Sequence, residues 1–417
     1  MHIADDVAEG TGSRQKYLGE KGLIGLIALL SAFVPLSTDL YLPALPGMAR
    51  YFGVSVNMTN LTLILFFMFF SAGTLIWGPL SDKYGRKPVL LVGLAIYVAA
   101  SILCANAGDI YGLIGARILQ AAGGSAALAV ATAMVKDVYS SQNRESILAV
   151  VQSMVLISPM VAPVLGAFLL SFTSWRGVFW TLAGIGVLAL AGSIVLEETI
   201  CQRSDRSAFQ VICRLGTVLR NPGFTSLLIV FSLVSISTLA FIASSSYIYI
   251  NGFGLSEQVY SYYFALNALG LIAGPLLYLR ISKRFDRRHI IIASFALTVL
   301  SGVLVCCLGS LKPWLFAAFL LPATISSSCV RTPGTNLMLE QQKEDTGSAA
   351  SLMSFFGIFM GSIGMTIISL DWGDPIFALG ALTIVVGLIC EALWLLVSQR
   401  SFIKQVPNRT SAATVKT

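Results

Sequence analysis

Twelve apolar runs, each about twenty residues or longer, follow one another along this chain, near 22–45, 58–80, 88–106, 111–135, 146–170, 177–196, 222–250, 258–279, 289–311, 313–338, 348–370 and 375–397. As a helix, a run of that length crosses the roughly 30 Å hydrocarbon core of a bilayer. Lipid offers the backbone no hydrogen-bond partner, so a spanning segment must be a helix or a strand of a closed barrel. Barrel strands are about half as long and alternate apolar with polar residues; these runs do neither. Composition agrees, with 56% of residues hydrophobic and only 11% charged, against about a quarter charged in soluble domains. Mean hydropathy is +0.81. The chain is therefore read as an all-α membrane protein with twelve transmembrane helices.

Charge fixes the expected organisation. With both termini placed in the cytoplasm, 22 of the 27 Lys and Arg residues fall in inner segments, and only Arg50, Arg176 and Lys312 in outer loops, the bias that sets membrane topology. The net charge of +7 thus has a topological cause and implies no nucleic-acid partner. The first 21 residues already carry seven charged side chains, so a cytoplasmic N-terminal segment is expected in place of a cleavable signal. The longest loop, 197–221, divides a first bundle of six helices over 22–196 from a second over 222–397, and 398–417 forms a cytoplasmic tail. Such duplicated bundles are a common build of secondary transporters. The seven cysteines show no C-x-x-C spacing and are read as packing residues without disulfides.

Four Asp, Glu, Lys or Arg residues lie inside the runs: Asp39, Arg117, Arg331 and Glu391. Charge at depth costs about 2.5–3.5 kcal/mol even on insertion scales, so each is a functional suspect. Asp39 and Arg117 each lie six residues from the outer end of their runs, about 9 Å down. At matching depth they can compensate one another. Burial and a nearby cation act on a carboxyl in opposite senses, and a carboxyl balanced between them can load and release a proton. Glu391 and Arg331 lie nearer the inner ends, where long side chains snorkel. Arg331 also precedes Thr332, Pro333 and Gly334, which can interrupt a helix and line a cavity.

The turn Gly78-Pro79-Leu80-Ser81-Asp82-Lys83-Tyr84-Gly85-Arg86-Lys87 is a charge-dense re-entry loop facing the cytoplasm. It resembles motif A of the major facilitator superfamily in Gly78, Asp82, Gly85, Arg86 and Lys87. A degenerate copy, Gly274-Pro275-Leu276 followed by basic residues, falls after the eighth run. Arg117 through Gly124, with Gln120 three residues on, resembles motif B of that superfamily. Ser158 to Ala167, with Pro159, Pro163 and Gly166, is similar to its antiporter motif C with three glycines replaced. Pro35-Leu36-Ser37-Thr38-Asp39-Leu40-Tyr41-Leu42-Pro43-Ala44-Leu45-Pro46 and Trp175-Arg176-x-x-Phe179 resemble the Bcr/CflA-type drug transporters. The resemblance implies two pseudo-symmetric six-helix bundles and exchange of small, largely hydrophobic drugs for protons. Asp39 would be the proton-linked acid and Arg117 its buried partner. It further implies a conformational latch in which Asp82 faces the start of the eleventh span near Gly347 and Ser348, while Arg86 pairs with Asp137.

Tyr41, Gln120, Gln152, Asn267 and Arg331 are the candidate contacts to cargo, although Gln and Asn also serve as interhelical glue. No cofactor or metal is expected; protons are the coupling ion, membrane lipid the surroundings, and the protein a monomer in a bacterial inner membrane. An ATP-driven pump is excluded by the lack of G-x-x-x-x-G-K-[ST]. An enzyme has no support either, since Gly123-Gly124-Ser125-Ala126-Ala127 fails the G-x-S-x-G elbow and no H-E-x-x-H occurs. A transporter of a physiological metabolite, such as a nucleoside or amino acid, and more distantly a non-transporting sensor, remain as alternatives.

Overall fold

Every regular element among the described residues is helical. The computed structural model describes residue 15 and residues 17–139, 141–200, 208–342, 346–400 and 403, without the side chains of 34, 141–152, 154 and 208–213. The helices are α1 (Gly19–Ser31), α2 (Phe33–Asp39), α3 (Leu45–Phe52), α4 (Val56–Tyr84), α5 (Arg86–Ala105), α6 (Ile110–Val138), α7 (Ser141–Leu170), α8 (Trp175–Val195), α9 (Ala208–Leu219), α10 (Pro222–Ser246), α11 (Glu257–Ile281), α12 (Arg287–Leu308), α13 (Pro313–Gln341), α14 (Thr346–Ile368) and α15 (Pro375–Val397). Ten of them, α4, α5, α6, α8 and α10 to α15, are long and apolar enough to cross a membrane. The segment from α1 to α3 adds an eleventh as a span bent by 46°. α7 occupies the fifth predicted run, and its stretch Val155–Leu170 is apolar. Within the predicted linker, 208–219 is helix α9 and 201–207 lies outside the described residues.

Local chemistry sets the boundaries. Side-chain oxygens of Ser55, Asp109 and Asp374 accept from the first free N–H groups of α4, α6 and α15, the usual satisfaction of an N-terminus. α4 and α5 are separated by one residue, Gly85, whose φ of +106° is open to glycine and strained for others. The first span breaks at Ala32, because Pro35 has no N–H to give and its ring crowds the preceding turn. It breaks again after Asp39, where Leu42–Ala44 form a short 3₁₀ turn over Pro43.

The chain divides into two compact units, Met1–Ile212 with Ile242–Ala268 and Cys213–Phe241 with Leu269–Thr417. In the first, α5 and α6 approach so closely that a Cβ on Gly123 would meet the Gly93 carbonyl at 2.6 Å. In the second, α12 and α15 do the same at Gly302 and Gly380. Small residues allow this approach where lipid supplies no hydrophobic drive. An ion pair recurs in both units. Arg86, the first residue of α5, meets Asp137 near the end of α6 at 2.8 Å; Arg287, the first residue of α12, meets Glu340 near the end of α13 at 3.3 Å.

Candidate functional site

The break in the first span builds the site. Asp39 is the last residue of α2 and is 4% exposed, with the Thr38 hydroxyl 3.0 Å from its Oδ1. Because α2 stops there, the carbonyls of its last turn lose their helical partners. The Ser37 carbonyl accepts from Arg117 Nη1 at 3.0 Å. Arg117, fully buried on α6, also donates from Nη1 to Gln120 Oε1 at 2.5 Å and from Nε to the Thr62 carbonyl at 3.4 Å. Its guanidinium lies over the rings of Tyr41, Phe66 and Phe179 at 4.6, 4.2 and 5.8 Å. Aromatic faces and carbonyl dipoles both favour a cation. One nitrogen, Nη2, has no hydrogen-bond partner among the described residues.

No ion pair joins Arg117 to Asp39, its expected partner: the guanidinium is directed to carbonyl groups, an amide and aromatic rings. The network extends from Gln120 Nε2 to the Ser101 hydroxyl at 2.8 Å, and from there to the Tyr97 carbonyl at 2.7 Å. Tyr97 returns through its hydroxyl to Ser37 at 2.6 Å. Tyr41 bonds the Thr62 hydroxyl at 3.0 Å. Tyr41 and Gln120 are fully buried and committed to this network, so neither presents surface to cargo in this arrangement. Ser37, Thr62, Tyr97 and Ser101 escape sequence reasoning, since isolated hydroxyls in apolar runs carry no spacing signal.

α7 closes on the same place. A Cβ on Gly166 would collide with the Leu40 carbonyl, so glycine is what lets α7 pack against the residue following Asp39. α7 runs as one helix through Pro159 and Pro163. The side chain of Gln152 lies outside the described residues. Asn267, on α11, is buried. Arg331 is ten residues from the end of α13, about 15 Å. It is exposed.

The hinge from Gly78 to Lys87 forms a second cluster in the first unit. Arg86 is 5% exposed and donates from Nε to Asp137 Oδ2 at 2.8 Å and from Nη1 to Ser81 Oγ at 2.7 Å and Asp82 Oδ1 at 2.5 Å. One guanidinium thus ties the ends of α4, α5 and α6. Gly78, on α4, has open space where a side chain would begin. Lys87 Nζ donates to the Ile194 carbonyl of α8 at 2.8 Å. Sequence reasoning also missed Glu198: its carboxylate accepts from the backbone N–H of Arg86 at 2.9 Å and of Lys87 at 3.3 Å, capping α5. The only signal was a pair of acids directly after the sixth run, on an otherwise basic side.

The family model described as Major Facilitator Superfamily matches residues 27–367. The MFS-type transporter YdgK of Bacillus subtilis is 29% identical over 376 residues, 88% of this chain and 92% of its own. The chloramphenicol resistance protein of Pseudomonas aeruginosa is 28% identical over 402 residues, 91% and 93% of the two chains. The bicyclomycin resistance protein homolog of Haemophilus influenzae is 23% identical over 376 residues, 86% and 92%. Among solved structures, the peptide transporter POT in complex with sulfate superposes with a TM-score of 0.73 at 15% identity, covering 93% of this chain and 97% of its own. That likeness is one of fold.

Proposed function

Because the chain belongs to the major facilitator superfamily, and is a multi-pass membrane transporter rather than an enzyme, we propose that it exports small, largely hydrophobic drugs in exchange for protons. Relatives named for chloramphenicol and bicyclomycin resistance support the cargo class. The basic residues gathered in inner loops support a bacterial inner membrane with both termini in the cytoplasm.

The observation that carries the reading is the Asp39 carboxyl, buried within a broken span, with one hydroxyl beside it and no cation in ion-pair range among the described residues. A buried charge without a partner is costly, whereas the neutral acid is not. Whatever enters beside the carboxyl changes the balance between its two forms. Exchange then follows by linkage: if protonation weakens cargo binding, cargo binding must expel the proton by the same factor. Arg117 acts as a positioning residue that holds the Ser37 carbonyl, and with it the bend carrying Asp39, against α4 and α6. The Arg86 cluster joins the cytoplasmic ends of α4, α5 and α6, where a latch between states belongs.

Purified protein in proteoliposomes, loaded with a pH-sensitive dye and offered a panel of drugs, tests this. Drug addition should release protons with the wild type and not with Asp39→Asn. Undiminished exchange by a folded Asp39→Asn variant would remove Asp39 from the mechanism.

A further inference from the structure

Arg331 is a cation with nothing to balance it. Among the described residues it has neither a hydrogen-bond nor an ion-pair partner, although it lies about 15 Å inside the end of α13. Its side chain is exposed, and a charge left open at that place in a spanning helix is ordinarily turned to a water-filled opening and not to lipid. Helix geometry within the second unit agrees. On one side, Ser328 Oγ donates to the Leu271 carbonyl of α11 at 2.6 Å; on the other, Gly334 packs on the Phe231 ring of α10. At roughly 100° per residue, Arg331 projects between these two faces, about 60° from each. Ser327 and Thr335, both half-buried, stand one turn before and after it on the same face.

A structural explanation from the internal repeat fails. α6 and α13 are both 29 residues long, and laying one on the other puts Leu128 at the place of Arg331. The first unit makes the same helix without a cation there. Intramembrane charges are ordinarily paired or turned to a water-filled cavity, and a guanidinium stays charged and binds oxyanions in a two-pronged fit.

We infer that Arg331, flanked by Ser327 and Thr335, is the anion-recognition point of the cargo site, so that favoured cargoes carry an oxyanion, a carboxylate or phosphonate, on an otherwise apolar body. This rests on the export reading and narrows its cargo class.

Two matched pairs of probes test it: chloramphenicol against its succinate monoester, and dansyl amide against dansylglycine, each differing by one carboxylate. Binding is measured to the purified full chain, and proton release in proteoliposomes. The wild type should prefer the anionic member of each pair. Arg331→Gln should lose that preference by roughly tenfold or more, and Arg331→Lys should retain part of it as a point charge. An unfolding temperature and a gel-filtration profile matching the wild type report that the variants are folded. Equal binding of the anionic probes by Arg331→Gln, or wild-type preference for the neutral members, overturns the inference and leaves export intact. Lack of proton release by the wild type with every probe and every drug in the panel overturns the export reading and this inference with it.

Discussion

Replacing Gly85 with alanine should destabilise the first unit through two separable effects, one of which vanishes if Glu198 is removed first. The backbone at Gly85 has φ +106° and ψ 154°, and holding a side-chain-bearing residue there costs about 1–3 kcal/mol. The new Cβ would also strike Glu198 Oε2 and lie 3.2 Å from its Cδ, displacing the carboxylate that accepts from the Arg86 and Lys87 N–H groups. That half-buried anion at a helix start is estimated at about 2–3 kcal/mol, from one good charge-assisted bond, one long bond and the helix dipole. Gly85→Ala alone should therefore cost about 3–6 kcal/mol and Glu198→Ala about 2–3 kcal/mol. The double variant should be no worse than Gly85→Ala, a coupling of about 2–3 kcal/mol between the sites. Equilibrium unfolding of the purified protein in mixed detergent and SDS micelles measures all three. Costs that simply add, within about 0.5 kcal/mol, would mean that the carboxylate is not seated against Gly85 and refute the reasoning.

Asp39→Asn keeps the shape and an acceptor, so thermal stability should change little while drug-driven proton release is lost. Arg117→Lys should behave oppositely in stability: an ammonium cannot reach the Ser37 and Thr62 carbonyls and Gln120 together, and a loss of about 3 kcal/mol or more should lower the unfolding temperature. Gly166→Ala forces α7 away from Leu40, an overpacking of about 1–3 kcal/mol, and should weaken proton coupling in the same dye assay. Asp137→Asn removes the principal anchor of Arg86 and should slow turnover several-fold with the KM for drug little changed; an equal rise in KM would argue against a latch.

The spans were legible because crossing lipid is a length requirement that any sequence must meet openly. Asp39 and Arg117 were legible for the related reason that a charge in such a run stands out. Their relationship was not. Residue counting gives depth but not the rotation of a side chain about its helix, and it treats the first span as straight. Pro35 and Pro43 break that span, free the Ser37 carbonyl and give Arg117 a partner that no sequence pattern names. Tyr41 and Gln120 read as possible cargo contacts by their polarity, yet the Gln120 amide is used to satisfy the buried guanidinium and the Tyr41 hydroxyl bonds Thr62 while its ring lies against the same cation. Glu198 was hidden by its place just past an apolar run, where an acid looks like the start of a loop.

The two units share a scaffold but not its chemistry. The α5–α6 and α12–α13 pairs repeat the same ion pair, Arg86 with Asp137 and Arg287 with Glu340, and α6 and α13 have equal length. The cations within these two helices do not repeat: laying α6 on α13 sets Arg117 against Leu320 and Arg331 against Leu128. If these cations served only to hold bundles together, a duplicated scaffold would need them at equivalent places. Arg117 fits a holding role in full, since carbonyl groups, an amide and three rings surround it. Arg331 fits none, because no partner among the described residues answers its charge. On the export reading proposed above, the proton would belong to the first unit, where a carboxyl lies beside a braced bend, and the cargo's anionic end to the second, where a cation stands open. Coupling between them then needs no direct contact of Asp39 with cargo: it is enough that each ligand prefers a different arrangement of the same helices.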